Sequence, residues 1–555
     1  MRYRLARSTC APLVLLILVL TVSPTRAERP RVYALTGATV VPEPGRTLEN
    51  GTVVIRDGLI VAVGDDVTVP PDAVEIDGAG LWIYPGLIDP QTTLGTATGG
   101  SERGAERTRE ASDDGTTPGA NHPISTIRPE QRVLDQLVPF EDERLRQAER
   151  YRDLGFTVVL SVPDEGIFRG RSVAILLQDE VAVPDMVLRD DVAQHVAFDH
   201  SGRDYPASLM GVMAAIRQTL LDGQRYTVWV ERYAANPIGM RRPDTVAAFS
   251  ALAPVLGGSQ PVVFELGDPG DFELVETLTG EFDLDAVVVA KTGEWEIVEP
   301  LVSSGRAVIL SLARPDKPEV DDEDDALDVT LREMRAYLDA PSTPARLHEA
   351  GIEFAFTTSG LSSLAAFGKN VRRVIERGLP EEAALAALTT VPARILGIDS
   401  VAGTLDPGKI ANVVVADGPL FADDTEVRRV YVDGREYRVE HKKKPTGDPN
   451  AVVDPRGEWS VVFDFGGRVA DRTWTIQGEP GAYTGTAETR SGTVRFESVT
   501  LEGNVLTVTF PGRGGLSQEV TVVIEGDGFE GTAEMGSRSI TLRGTLMRRP
   551  ERGAR

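Results

Sequence analysis

Side chains able to do acid–base, nucleophilic or metal chemistry are scarce in this sequence. It contains five histidines, His122, His195, His200, His348 and His441, and a single cysteine, Cys10. In "AQHVAFDHSG" the residues His195, Asp199 and His200 form the one local cluster that could hold a metal or move a proton. Five-residue spacing sends the two rings to different helical faces, and histidines in surface loops are common, so the cluster reads as a loop without chemistry. His348, in "ARLHEAG", reads as a helix-capping or packing residue, and His122 and His441 fall in polar connecting stretches. Ser362 and Ser363 in "GLSSLAAFG" have neither the GxSxG elbow nor a placeable acid–base partner. The acidic run from Pro315 to Asp328 lacks the glycine and closing glutamate of a calcium loop and reads as a solvated loop.

Any site must therefore be assembled by the fold. From Arg31 to Tyr84 the chain is strand-rich, with Asp57-Gly58 as a two-residue hairpin turn, and a matching piece with Asp433-Gly434 lies far downstream. Between them, apolar runs such as "FTVVLSV", "YTVWVE", "PVVFEL", "DAVVVA", "AVILSL" and "EFAFTT" alternate with helix-like segments such as "LMGVMAAIRQTLLDGQRY" and "EIVEPLVSSG". Continuous apolar strands alternating with helices predict a parallel sheet covered on both faces, and their number suits an α/β, (β/α)8 TIM-like barrel. The stretch from Gln91 to Gln131 is poor in hydrophobes and reads as a long insertion at the barrel mouth. After a polar linker the pattern changes to about eight short alternating strands with glycine turns, an all-β barrel or sandwich of lipocalin-like kind.

These readings divide the chain into 1–27, a flanking β-sandwich built from 28–84 and 402–440, the barrel 85–401, a linker 441–452 and the all-β unit 453–548. Arg2, Arg4 and Arg7 precede an apolar stretch from Ala11 to Val22, then Ser23, Pro24 and Ala27, which is a secretory signal pattern. It predicts an exported protein, periplasmic or secreted, with an uncleaved anchor as the alternative. Cleavage would remove Cys10, excluding disulfides and thiolate chemistry, and would lower Lys+Arg from 58 to 54 against 84 Asp+Glu, a formal charge of −30. Phosphate-driven nucleic-acid binding would work against that field. No other stretch is long and apolar enough for a membrane span.

The stretch "YPGLIDPQTTLG", Tyr84 to Gly95, reads as a short buried strand that leaves a Pro85-Gly86 turn and reaches Asp89. It resembles the first barrel strand of the amidohydrolase superfamily, whose members read PGLIDxHxH there. The stretch "NVRRVIERGLPEEAALAALTTVPARILGIDSVAGTLDPGKIANVVVADGPLF" resembles the last barrel helix and the return to the small sheet in the imidazolonepropionase-like branch, and the likeness runs from about Val32 to Val439. The resemblance implies hydrolysis of C–N bonds in amides, cyclic amides or dipeptides, with zinc or another divalent metal held by histidines and an aspartate at the barrel mouth. At the matching positions this chain has Gln91 and Thr93 on the first strand, Glu265 and Gly267 on the fifth, Lys291 on the sixth and Ser359 on the eighth.

Departures at all five expected ligand positions, the fifth-strand one falling at Glu265 or Gly267 and the sixth-strand one being a cation, predict that the metal site is lost, with no cofactor and no catalytic residue. The expected function is that of a binding protein or pseudoenzyme whose partner is a small molecule or an active homologous subunit. An active hydrolase with unorthodox ligands, and envelope or carbohydrate binding through the all-β unit, are the alternatives. An acid-lined cavity without metal needs a cation, so Lys291 is expected to bridge Glu265 or Asp89, with Gln91, Thr93 and Ser359 completing the hydrogen bonds.

Overall fold

The computed structural model describes residues 32–96, 122–200, 205–291, 293, 295–313, 315, 318, 327–361, 364–439, 447–448, 451–464, 469–480, 482–489, 492–496, 498–511, 517–535 and 538–549. The signal pattern, Ser362, Ser363, His441, most of the insertion and most of the acidic run lie outside them.

The small sheet takes strands from both ends of the barrel segment. Val32–Glu43, Arg46–Arg56, Leu59–Gly64 and Trp82–Pro85 join Val413–Ala416, Val427–Val432 and Arg435–Arg438 in one hydrogen-bonded path, with Val74–Asp77 beside the first. Trp82–Pro85 is the junction, pairing antiparallel with Val413–Ala416 and handing the chain to the barrel. Asp57-Gly58 and Asp433-Gly434 adopt positive φ at both positions, the geometry that matches hairpin twist. Leu35, Val53, Ile55, Ile60, Ile83, Val413 and Tyr431 form the core of this sheet.

The barrel strands, in chain order, are Leu87–Thr92, Phe156–Ser161, a third interrupted at Ser172 (Phe168–Arg171 and Val173–Leu176), Gln194–Ala197, Val262–Glu265, Ala286–Lys291, Val308–Ser311 and Phe354–Thr357. The first two pair in parallel, as do the fourth through eighth. The third runs antiparallel to both neighbours, which corrects the all-parallel expectation. Only residues 162–167 link it to the second strand, too few for a crossover helix, so the chain reverses as a hairpin. Its start therefore lies at the mouth, where the parallel strands end.

"YTVWVE" is likewise not a strand. It lies within the helix Leu209–Ala235, which Ser208 caps by accepting from Gly211 N at 3.3 Å. Val212, Ala215, Ile216, Thr219, Leu220 and Gly223 recur at helical spacing and are buried, and this seating carries the helix on through residues with strand-like alternation. Val228 and Val230 remain 44% and 39% exposed, so burial never selected that alternation.

In the C-terminal unit, eight antiparallel strands close a barrel. Gly457–Asp464 pairs with both Val469–Glu479 and Arg538–Arg548, and Val469–Glu479 with Ala482–Thr489. Its interior is filled by Trp459, Trp474, Leu506, Val508, Val520, Val522, Phe529 and Leu542. Among the described residues of the whole chain, no helix is long and apolar enough to cross a membrane.

Candidate functional site at the barrel mouth

The first and eighth strands meet at a buried carboxyl. Asp89 Oδ2 accepts from Thr358 N at 3.1 Å and Thr358 Oγ1 at 2.5 Å, and Oδ1 accepts from Gln91 N at 3.1 Å. The Thr357 hydroxyl lies 2.6 Å from Oδ1 and 2.8 Å from the Gln91 carbonyl, and it accepts from Ser359 N at 3.0 Å. Burial pushes the Asp89 pKa up, and these donors oppose the shift. Tyr151 extends the network, its hydroxyl 2.8 Å from Thr358 Oγ1. Burial, then the charge of Asp89, pushes Tyr151 up to about 12.

Above this seam lies a cavity of about 250 Å³ whose wall includes Gln91, Thr93, Asp164, Arg169, Glu265 and Ser359. The fold thus gathers four of the positions singled out in the sequence. Lys291 is exposed at the end of the sixth strand. Gly267 N donates to Asp271 Oδ2 at 2.9 Å, tying the end of the fifth strand to the helix Asp271–Phe282.

The cation at Glu265 is Arg169, which corrects the expected pairing with Lys291. Arg169 Nη1 lies 2.6 Å from Glu265 Oε2, with the two side chains 15% and 21% exposed. Arg169 went unnoticed because a parallel third strand would have begun at the far end of the barrel. The signal was present in "GIFRGRSVAILL", an arginine near the start of an apolar stretch that follows a very short connection. Asp89 is served by neutral hydroxyls and backbone N–H groups.

His195 is a buried residue of the fourth strand, not a loop histidine, whereas Asp199 and His200 lie exposed beyond the strand end. His195 Nδ1 is 3.9 Å from Glu265 Oε1, and neither ring nitrogen has a hydrogen-bond partner among the described residues. Burial, and then Arg169, lower its pKa to about 3, so the ring is neutral near pH 7. His348 is exposed in the last turn of Thr343–Glu349. His122 rests on the long helix, its Nε2 3.3 Å from Thr219 Oγ1.

A structural or catalytic zinc site needs three or four nitrogen, oxygen or sulfur ligands converging on one point. Here the matching positions offer an amide, hydroxyls and Glu265, whose Oε2 is already held by a guanidinium. Asp89 is surrounded by donors, and no group of three His, Cys, Asp or Glu converges among the described residues. These residues do not fit a resident divalent metal.

Residues 325–437 match the model of the amidohydrolase family. The crystal structure of an amidohydrolase from Thermotoga maritima MSB8 superposes with a TM-score of 0.60 at 22% identity, covering 73% of this chain and 100% of that one. The chain shares the fold of that amidohydrolase, and its residues 325–437 match the amidohydrolase family. Amidohydrolase tasK of Hapsidospora irregularis is 23% identical over 464 residues, 76% of this chain and 44% of that protein. Adenine deaminase 2 of Jannaschia sp. (strain CCS1) is 35% identical over 97 residues, 16% of this chain and 15% of that protein. The chain thus spans less than half the length of either curated relative. The fold is shared with the Thermotoga maritima protein, and the mouth of the barrel is where the side chains decide what the fold does here.

Proposed function

We propose that this chain is an exported amidohydrolase-superfamily protein that has given up metal-dependent hydrolysis and binds a small molecule at the barrel mouth. The observation that carries the reading is the Arg169–Glu265 ion pair, which places a guanidinium against the one carboxylate among the family's ligand positions. Hydrolysis of a C–N bond at neutral pH needs an activated water and a polarised carbonyl, which a bound metal would supply. Neutral His195 stands behind Glu265 and does not line the cavity, so it offers no base to replace that chemistry at the wall. The all-β unit fills its own interior with side chains, which supports the barrel mouth as the binding site.

The test is metal content of protein purified without chelators, together with turnover of a lactam, a hydantoin and a prolyl dipeptide. Zinc well below one per chain and no turnover are expected. Stoichiometric zinc with turnover would overthrow the reading. Export is tested separately: mass spectrometry of the native protein should find a mature chain beginning near Glu28, and an intact Met1 with a cytoplasmic location would contradict it.

A further inference from the structure

We propose that the solvent-facing side of the helix Leu209–Ala235 is a docking groove for an acidic amphipathic helix of another protein. The inference stands apart from the barrel mouth. Val212, Ala215, Ile216, Thr219, Leu220 and Gly223 seat one side of this helix on the barrel, and the opposite side carries a second pattern. Ala214, Leu221, Val228 and Ala235 recur every seven residues and are all exposed, Leu221 by 42% and Val228 by 44%. Beside them Gln218, Arg225 and Arg232 recur at the same interval and are exposed as well. Seven-residue spacing keeps a stripe on nearly one side of a helix, and it is the spacing by which one helix pairs with another.

Met240, from the turn that follows the helix, forms the far wall of a groove of about 550 Å³ against Leu221, Val228 and Trp229. Trp229 Nε1 donates to the Arg241 carbonyl at 3.2 Å, which ties that turn to the helix and holds the two walls together. The rest of the lining is Gln224, Arg225 and Arg232, and the acids nearest these in sequence, Asp222 and Glu231, do not line the groove. Neither Arg225 nor Arg232 has an ion-pair or hydrogen-bond partner for its guanidinium among the described residues. By contrast, Arg217 on the same helix meets Glu281 at 2.6 Å, and Arg241 meets Asp244 at 3.0 Å. In a chain with 84 Asp+Glu against 58 Lys+Arg, two arginines left without an acid on an apolar groove are complementary to acids brought from outside. They stand two turns apart, about 10 Å along the helix axis, so one small carboxylate meets only one of them. A helix with Glu or Asp at seven-residue spacing meets both and lays its own apolar stripe on Leu221 and Val228. A second copy docked by the same face would bring the same arginines to the interface, and a net charge of −26 with them.

The experiment adds two capped three-heptad peptides to the full mature chain and follows binding by calorimetry. Both carry leucine at positions a and d, one has glutamate and the other lysine at e and g, and like charges keep each from pairing with itself. The glutamate peptide should bind about tenfold tighter than the lysine peptide, a difference of about 1.4 kcal/mol. Raising the salt from about 0.05 M to about 0.5 M should weaken it several-fold. The Arg225→Gln/Arg232→Gln double variant should weaken it about tenfold and Val228→Ser several-fold, whereas Arg377→Gln, exposed at the end of the helix Ala366–Glu376, should bind it unchanged. All of these side chains are exposed, so the fold is spared, as circular dichroism will check. Equal affinity for the two peptides, no binding of the glutamate peptide, or groove variants that bind it unchanged would each overturn the inference. So would a dimer in sedimentation that the groove variants dissociate, which would give the groove to a second copy. Phosphatidylglycerol vesicles that bind the chain through these same residues, with no competition from the glutamate peptide, would overturn it in favour of a membrane surface.

Discussion

Replacing Arg169 with methionine keeps much of the apolar stem and removes the charge that faces Glu265. Two unit charges about 4 Å apart at an effective dielectric of about 20 attract by about 4 kcal/mol. The pair is 15% and 21% exposed, so solvent screens part of that attraction, and the separated carboxylate regains some hydration. Breaking one side of a buried pair typically costs about 3–5 kcal/mol, and the partial exposure here brings the expectation down to about 2–3 kcal/mol. The Arg169→Met/Glu265→Gln double variant should recover most of that loss, because a neutral amide in place of the carboxylate needs no counter-charge. Native-state hydrogen exchange, read peptide by peptide, is the assay, since it separates the amides of the (β/α)8 barrel from those of the C-terminal unit. His195 supplies a second readout. Its native pKa of about 3 lies below the ordinary 6.5, so it contributes stability that is present above about 6.5 and is lost as the pH falls toward 3. Removing Arg169 lifts the second cause of that depression, so NMR titration should find the ring pKa raised and the acid loss reduced. A single variant within about 0.5 kcal/mol of wild type, or a double variant no more stable than the single, would refute the reasoning.

Asp89 gives a pH dependence of opposite sign. Burial raises its native pKa above the ordinary 3.8, so its contribution is fully present below about 3.8 and is lost as the pH rises through the native value. Urea titrations across pH should show this loss in the wild type and not in Asp89→Asn; parallel curves would count against it. Gly86→Ala would place a Cβ 2.2 Å from Oγ1 and 2.5 Å from Cγ2 of Thr157, which is fully buried, and should cost about 1–3 kcal/mol in urea unfolding. Adding Thr157→Ala should restore part of that loss. Residues 453–548 expressed alone should unfold cooperatively with a β-type circular-dichroism spectrum, and Trp474→Ala should cost that unit about 3–5 kcal/mol. A helical spectrum, or no cooperative transition, would show that the closed barrel depends on the rest of the chain.

Local pattern made much of the architecture legible. Period-two alternation and Asp-Gly turns marked the small sheet, continuous apolar runs marked most of the barrel strands, and glycine-punctuated alternation marked the C-terminal unit. "YTVWVE" misled because strand-like alternation was judged without the helix that precedes it. The buried face from Val212 to Gly223 had already committed that stretch to a helix.

Resemblance in the sequence pointed to Gln91, Thr93, Glu265, Lys291 and Ser359 as the counterparts of the superfamily's metal ligands, a reading that needs only motif and order along the chain. Which cation meets Glu265 was decided only by tertiary structure. Arg169 is 96 residues away in sequence, and it reaches the mouth because the short connection 162–167 reverses the third strand. The same holds for Asp89, whose donors Thr357 and Thr358 come from the far end of the barrel segment. Apolar periodicity reports which face of an element is buried, whereas an ion pair or a hydrogen bond between distant strands depends on strand direction and register. Those are settled only when the sheet closes.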